Sequence, residues 1–150
     1  MAADSEIVRD RLHRIRRYVN HLEGFSKISR EDFLRNTERQ YAVLHALQLS
    51  IEASVEIAMH ICSADGLGVP STYAESFHYL ERERIVDSSL SDDLRAMARF
   101  RNLVVHAYAD VDIARVYEIL TTRLKDFSRY VVTIENYLGE SGGPPSGPAS

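Results

Sequence analysis

The chain has 150 residues, a net charge of −4, and hydrophobic and charged fractions of 45 % and 27 %. These values are ordinary for one soluble globular domain, and the acidic balance excludes a broad basic surface for long nucleic acid. Any contact with a nucleic acid therefore has to be local. The single cysteine, Cys62, excludes an intrachain disulfide and suits a reducing compartment.

Neither end of the sequence nor its interior suggests a membrane. No stretch is apolar over the roughly 18 residues that a membrane-spanning helix needs. The first residues, MAADSE, lack the basic and apolar regions of a secretory signal peptide. We therefore expect a cytoplasmic protein without a membrane partner.

The first predicted helix has an apolar stripe on one side and arginines on the others. The stripe recurs at alternating steps of four and three residues, at Val8, Leu12, Ile15, Val19 and Leu22. The basic side chains are Arg9, Arg11, Arg14, Arg16 and Arg17. This cluster is either a surface for phosphate or a solvated face of arginines that lie along the helix, and both interpretations stay open.

A second, long helix is predicted from Ser29 to Cys62, because neither proline nor glycine interrupts it. Ser29 and Asp32 form a capping box, in which the serine oxygen satisfies the first turn and a carboxylate follows three residues later. A kink is expected near Asn36.

One side of the long helix carries Glu52, Glu56 and His60 at steps of four residues. The set is either a solvent-exposed ladder or the counter-charge for a buried cation elsewhere. His45 and His60 lie fifteen residues apart without a cysteine or a tight acidic cluster, so we predict no metal site.

The second half of the chain contains three further helices. A loop over residues 64–71 has two glycines and a proline, and the short helix after it should end near Ile85. Ser91 is the predicted N-cap of the next helix. Asp112 is predicted to cap the last helix, which runs to Leu138.

These elements predict an all-α, antiparallel bundle of about five helices. The helical domain should span residues 1–138. The Gly-, Pro- and Ser-rich tail over residues 139–150 cannot pack and is expected to be disordered.

Chemically active side chains are concentrated between Arg99 and Tyr108, inside an apolar, helix-forming neighbourhood. One polar stripe is formed by Arg95, Arg99, Asn102 and His106. Arg101 and Tyr108 instead project from the middle of the apolar face. A guanidinium there is costly unless an anion or a carboxylate meets it, which marks Arg101 as a functional candidate.

The spacing Arg-x4-His-x-Tyr in this stretch resembles that of the HEPN superfamily and, within it, of the HepT-like ribonuclease toxins. The similarity covers roughly residues 5–138. It rests on the segment from Met97 to Tyr108, on the run Asp112-x3-Val116-Tyr117-x2-Leu120, and on Glu56-x3-His60.

The resemblance implies a metal-independent endoribonuclease toxin of a type VII-like toxin–antitoxin system, with Arg101 and His106 as catalytic residues and no cofactor. Asn102 and Arg99 would support them. A histidine can transfer protons near neutral pH, and an arginine can bind a phosphate through two N–H groups and stabilise the transition state. RNA would be cut by its own 2′-hydroxyl, leaving a 2′,3′-cyclic phosphate.

About 140° separates Arg101 from His106 on an ideal helix. Either the helix distorts near His106, or two chains share a cleft, and the resemblance favours the second, a homodimer. The resemblance also implies an MNT-type nucleotidyltransferase antitoxin that attaches AMP to Tyr108. Such an adduct would place negative charge beside Arg101 and compete with RNA phosphate.

Three alternatives concern individual residues. In the first, His106 has a structural role and its ring nitrogens are hydrogen-bonded within the protein. In the second, Tyr108 is a core tyrosine with its hydroxyl at the rim of the core. In the third, Arg101 forms a structural ion pair with Glu56. For the whole chain, the alternatives are a non-catalytic HEPN module that binds a nucleotidyltransferase and supports its substrate binding, and a structural dimerisation domain.

Overall fold

The computed structural model describes residues 5–106 and 110–141, and all of its regular elements are α-helices. These are α1 (Ser5–Glu23), α2 (Arg30–Arg35), α3 (Thr37–Ala64), α4 (Tyr73–Arg82), α5 (Ser88–His106), α6 (Ile113–Thr122) and α7 (Leu124–Ser141). Across these two ranges there is no β-strand. The predicted all-α fold is confirmed.

Within the described residues, seven helices replace the predicted five because two of the predicted helices are each divided into two. Asn36 lies between α2 and α3 in an extended conformation, and its side chain accepts a hydrogen bond from the N–H of Arg39 at 3.0 Å. The expected kink is therefore a complete break with its own cap. Arg123 divides the last predicted helix into α6 and α7, and its N–H donates to the carbonyl of Ile119 at 2.9 Å at the end of α6.

Two of the predicted N-caps are present. The hydroxyl of Ser29 accepts from the N–H of Asp32 at 3.1 Å, and the carboxylate of Asp112 accepts from the N–H of Ala114 at 3.0 Å. The prediction of Ser91 as the N-cap of α5 is wrong. The helix begins at Ser88, where the carboxylate of Asp87 accepts from the N–H of Leu90 at 2.7 Å.

Helix α4 ends three residues before the predicted Ile85. Arg84 adopts a left-handed conformation with φ of 60°. Its N–H donates to the carbonyl of Glu81, and the N–H of Ile85 donates to that of Leu80, both at 2.9 Å. This pair of bonds is the Schellman motif that closes a helix, here with arginine at the position that glycine usually takes.

Helix α3 forms the centre of the bundle, since α1, α4, α5, α6 and α7 all contact it. The predicted apolar stripe of α1 is buried along its whole length. The hydroxyl of the fully buried Tyr130 on α7 donates to the backbone carbonyl of Ser54 at 2.9 Å. Apolar side chains of these helices are therefore removed from water against α3, and such burial is the main stabilising contribution in a bundle.

In length and composition α3 is also the one helix, among those described, that is suited to cross a membrane. No such stretch was predicted from the sequence. Because 61 % of its most apolar window is buried inside the protein, α3 has the environment of a core helix in a bundle.

Helix α7 continues to Ser141, three residues beyond the predicted helix end at Leu138. Residues 142–150 lie outside the described residues, so a disordered tail stays a prediction. Tyr108 also lies outside them.

A buried carboxylate, Asp126, links α7 to α5. Its Oδ1 accepts from Arg129, which also donates to Asp93 on α5 at 3.3 Å, and Arg123 lies near both carboxylates. Burial and, to a smaller extent, the neighbouring charge of Asp93 raise the pKa of Asp126, against the opposing effect of the arginines. Keeping the Asp126 carboxylate ionised in the folded protein therefore costs free energy.

This raised pKa predicts how stability depends on pH. The folded protein binds the Asp126 proton more tightly than the unfolded chain does, so acidification from the raised pKa towards the ordinary aspartate value favours the folded state. Relative to Asp126→Asn, which cannot titrate, the wild type should gain free energy of unfolding as the pH falls through this range. Chemical denaturation of both proteins across the acidic range checks this. The free energy of unfolding of the wild type minus that of the variant should rise on acidification, and a value that stays constant or falls contradicts the prediction.

Candidate active site

Arg101 on α5 is fixed by a carboxylate on α3. Its Nε and Nη2 donate to the same oxygen, Oε2 of Glu52, at 3.1 Å and 2.9 Å. Only 18 % of the Arg101 side chain and 30 % of that of Glu52 are exposed. The cost of placing a guanidinium in an apolar face is therefore offset by a charged, two-donor contact.

Two further side chains complete the support of Arg101. The amide of Gln48 donates to Oε2 of Glu52 at 3.0 Å. The ring of Tyr73, at the start of α4, lies under the guanidinium, whose central carbon is 4.9 Å from the ring centroid. In the described part of the chain nothing accepts from Nη1 of Arg101, which leaves one edge of the guanidinium for an external anion.

The acidic partner of Arg101 is thus Glu52 rather than the candidate Glu56, one helical turn further along α3. Glu56 lies beside Arg11 of α1 instead, with 3.3 Å between Oε1 and Nε. The reason is the packing around α3, since α5 approaches it at Glu52 whereas α1 lies alongside it at Glu56. Of the two acidic residues in the set Glu52, Glu56 and His60, Glu52 is therefore the counter-charge of Arg101. The side chain of Glu56 is 55 % exposed.

A groove of about 480 Å³ opens beside this cluster, between α1, α3, α4 and α5. Its lining includes Arg11, Glu52, Glu56, Met59, Tyr73 and Arg101. Two arginines and two glutamates therefore border a partly apolar space of the size that commonly holds a small ligand.

His106 lies away from this groove. It is the last residue of α5, its side chain is exposed, and the helix is regular up to it. Arg99 is exposed as well, and Asn102 is half-buried. The structure brings Arg101, Glu52 and Tyr73 together, but it does not bring His106 to Arg101 within one chain.

The exposed part of α5 near His106 is partly apolar. Leu103 and Val105 are 50 % and 44 % exposed, and Leu103 shares a face with His106, three residues on. Among residues 5–106 and 110–141, no group of three potential His, Cys, Asp or Glu ligands could hold a metal ion.

Two members of the site, Gln48 and Tyr73, were not predicted from the sequence. Gln48 precedes Glu52 by one turn, so the four-residue step that singled out Glu52 also reaches Gln48. Tyr73 follows a loop and begins another helix, so periodicity within α3 or α5 had no way to identify it.

An all-α bundle that carries an Arg-x4-His pair on one helix, with the arginine fixed at a groove, has the architecture of the HEPN class. The family model described as HepT-like ribonuclease matches residues 15–134. The chain therefore belongs to the HepT-like ribonuclease family.

Individual relatives agree with this assignment. The chain is 33 % identical to the tRNA nuclease HepT of Aphanizomenon flos-aquae, over 88 % of this chain and 90 % of that protein. It is 28 % identical to the mRNA nuclease HepT of Shewanella oneidensis, over 87 % and 98 %. The tri-AMPylated HEPN toxin of Shewanella oneidensis, solved in complex with an MNT antitoxin, superposes with a TM-score of 0.80 at 27 % identity, over 87 % and 97 %.

The contact between Arg101 and Glu52 predicts a measurable loss of stability in Glu52→Gln. This change leaves a partly buried guanidinium without its counter-charge, so the free energy of unfolding should fall by about 1–2 kcal/mol, less than for a fully buried pair because some solvent reaches it. In the Glu52→Gln background, Arg101→Met should recover part of the loss. Urea denaturation of the wild type, the two single variants Glu52→Gln and Arg101→Met, and the double variant measures the coupling free energy between the two side chains.

The control is Glu118→Gln, which breaks the surface pair with Arg115, whose side chains are 59 % and 54 % exposed. It should leave stability nearly unchanged. Equal effects of Glu52→Gln and Glu118→Gln contradict the special role of the buried pair.

Proposed function

We propose that the protein is an endoribonuclease toxin that cuts RNA without a divalent metal, using Arg101 and His106, and that it pairs with an MNT-type nucleotidyltransferase antitoxin. The observation that carries the proposal is Arg101, which Glu52 and Tyr73 fix at the edge of an open groove. Membership of the HepT-like ribonuclease family supports RNA as the substrate.

The chemistry of such a cut requires a cation and two proton transfers. The 2′-oxygen of RNA attacks the adjacent phosphorus as its proton leaves, and the bond from phosphorus to the 5′-oxygen breaks as that oxygen gains a proton. The products are a 2′,3′-cyclic phosphate and a 5′-hydroxyl. Arg101 stabilises the extra charge on the phosphorane, and His106 transfers protons as base or acid. Asn102 and Arg99 assist in binding the strand.

The separation of Arg101 and His106 supports a site composed of two chains. Because α5 is regular up to His106, no helical distortion in the described residues turns the imidazole towards the groove. A second copy related by a two-fold axis supplies His106 to the groove of the first, and the reverse. The exposed Leu103 and Val105 offer apolar surface for this homodimer.

Tyr108 is the proposed point of control. It follows His106 by two residues, and the related Shewanella oneidensis toxin is tri-AMPylated in its complex with an MNT antitoxin. AMP groups on Tyr108 carry phosphates that compete with RNA for Arg101. The partner enzyme thereby silences the nuclease.

The composite site predicts complementation between two inactive variants. Arg101→Ala and His106→Ala should each cut RNA at least 100-fold more slowly, in line with the loss of a transition-state contact or a proton-transfer group. After subunit exchange, a heterodimer of the two retains one intact site and should recover about half of the wild-type rate. A gel assay with labelled RNA measures it.

Arg115→Ala, which removes an exposed arginine of α6, serves as the active control. EDTA should not reduce the wild-type rate, and the 5′ product should end in a cyclic phosphate. A heterodimer as inactive as its parents contradicts the composite site. A wild type that cuts no RNA, yet binds the nucleotidyltransferase, favours the non-catalytic module instead.

A second prediction concerns Tyr108→Phe. The hydroxyl is not the proposed base, so this variant should keep most of its nuclease activity but escape silencing when the nucleotidyltransferase is co-expressed. Intact mass spectrometry should find AMP on the wild type and on Tyr41→Phe, which removes another exposed tyrosine hydroxyl, but not on Tyr108→Phe. Full silencing of Tyr108→Phe would instead mean that the antitoxin blocks the site by occupying it.

A further inference from the structure

We propose that the groove beside Arg101 holds the nucleotide next to the cleaved phosphate, and that Arg11 binds the phosphate of that nucleotide. This assignment rests on the proposed ribonuclease function and extends its site to α1. It commits to a single-stranded RNA segment as the occupant of the groove.

The two arginines are placed one helical turn apart by the same face of α3. Glu52 contacts Arg101 and Glu56 contacts Arg11. Because these glutamates are four residues apart in a continuous helix, they are separated by about 6 Å along its axis. Both guanidiniums also line the one groove. A strand whose phosphate lies at Arg101 therefore has a second cation within reach of a neighbouring phosphate.

Arg11 differs in orientation from the other paired arginines of α1. Arg14 contacts Asp10 through its Nε at 3.1 Å, and Arg16 contacts Glu135 on α7. Neither lines the groove, whereas Arg11 does. The basic cluster seen in the sequence thus contributes one residue to this site, and the rest of it faces elsewhere.

The present partners of Arg11 are ones that a phosphate can replace. Its Nη1 donates to Asp10 at 2.6 Å, and its Nε lies 3.3 Å from Glu56 without forming a hydrogen bond. Both carboxylates are about half-exposed, and ion pairs of this kind contribute little. A phosphate can accept two parallel hydrogen bonds from the planar guanidinium.

The remaining walls suit a base. Val55, Met59 and Ile7 contribute apolar surface to the groove, and its volume of about 480 Å³ lies in the range of pockets that enclose small organic ligands. Glu56, in contrast, places a negative charge where the second phosphate would lie. Removal of that charge should therefore strengthen the binding of RNA.

The test measures the binding of a fluorescent, 2′-O-methylated oligonucleotide, which cannot be cut, by anisotropy at several salt concentrations. Arg11→Gln should weaken binding roughly 5- to 10-fold at low salt and reduce the slope of log K against log salt by about 0.7, the value for one phosphate of a single strand. Glu56→Gln should bind more tightly than the wild type, and the double variant should lose this gain.

Kinetics with cleavable substrates give an independent readout. Arg11→Gln should raise KM on an oligonucleotide and leave kcat close to the wild-type value, because the contact is present equally in the ground state and the transition state. On a dinucleotide, which has a single phosphate, both constants should be unchanged. Arg14→Gln is the matched control, since it removes another arginine that contacts Asp10 but lies outside the groove.

The outcomes separate this assignment from the proposed function. If the wild type binds and cuts RNA while Arg11→Gln matches Arg14→Gln in affinity and salt slope, the assignment is wrong and the nuclease proposal stands. If Arg11→Gln weakens AMP binding but not oligonucleotide binding, the groove holds a mononucleotide and the assignment is again wrong. Should Arg11→Gln fold poorly, Glu56→Gln decides, because it leaves Arg11 in place. A wild type that binds no RNA refutes both proposals.

Discussion

The arrangement of the rest of the site depends on the contact between Arg101 and Glu52. A guanidinium in the apolar face of α5 requires a carboxylate from α3, and this fixes the position at which the two helices meet. Gln48 then holds the carboxylate, and Tyr73 of α4 covers the guanidinium. A pair of apolar residues would be expected to stabilise the same helix crossing at least as well. The physical benefit of the ion pair is therefore a cation held in one orientation at the edge of a groove.

Helix α3 can serve this role because its own polar groups are satisfied within the helix. The hydroxyls of Ser50 and Ser54 donate to the carbonyls of Ala46 and Ser50, each at 2.8 Å, so both serines are buried without cost in lost hydrogen bonds. Their small size lets neighbouring helices approach closely. Polar side chains that need a partner from elsewhere, such as Glu52, lie on the side of α3 that faces α5 and the groove.

The sequence predicted the helices and the unusual position of Arg101 well, but not the points at which the helices meet. Periodicity fixes the face of a helix on which a residue lies, which is why the buried stripe of α1 and the anomalous position of Arg101 were both correct. It does not fix where along α3 another helix crosses, so Glu56 was the candidate counter-charge for Arg101, whereas the packing brings Glu52 to it. Similarly, Asp87 and Ser91 are both good capping residues. In the structure Asp87 takes this role, since its carboxylate accepts from the N–H of the buried Leu90 in the first turn of α5.

The two halves of the proposed site differ in how firmly a single chain holds them. Arg101 is fixed by three side chains from two helices, whereas His106 is exposed at the last residue of α5. Within the described residues of one chain, the proposed phosphate-binding side chain is thus held in place, whereas no described side chain holds the proposed proton-transferring one. In the proposed composite site, the second copy supplies that support, and activity then depends on association as well as on folding. Tyr108 follows His106 by two residues, so the proposed adduct would lie next to the less firmly held of the two proposed catalytic side chains.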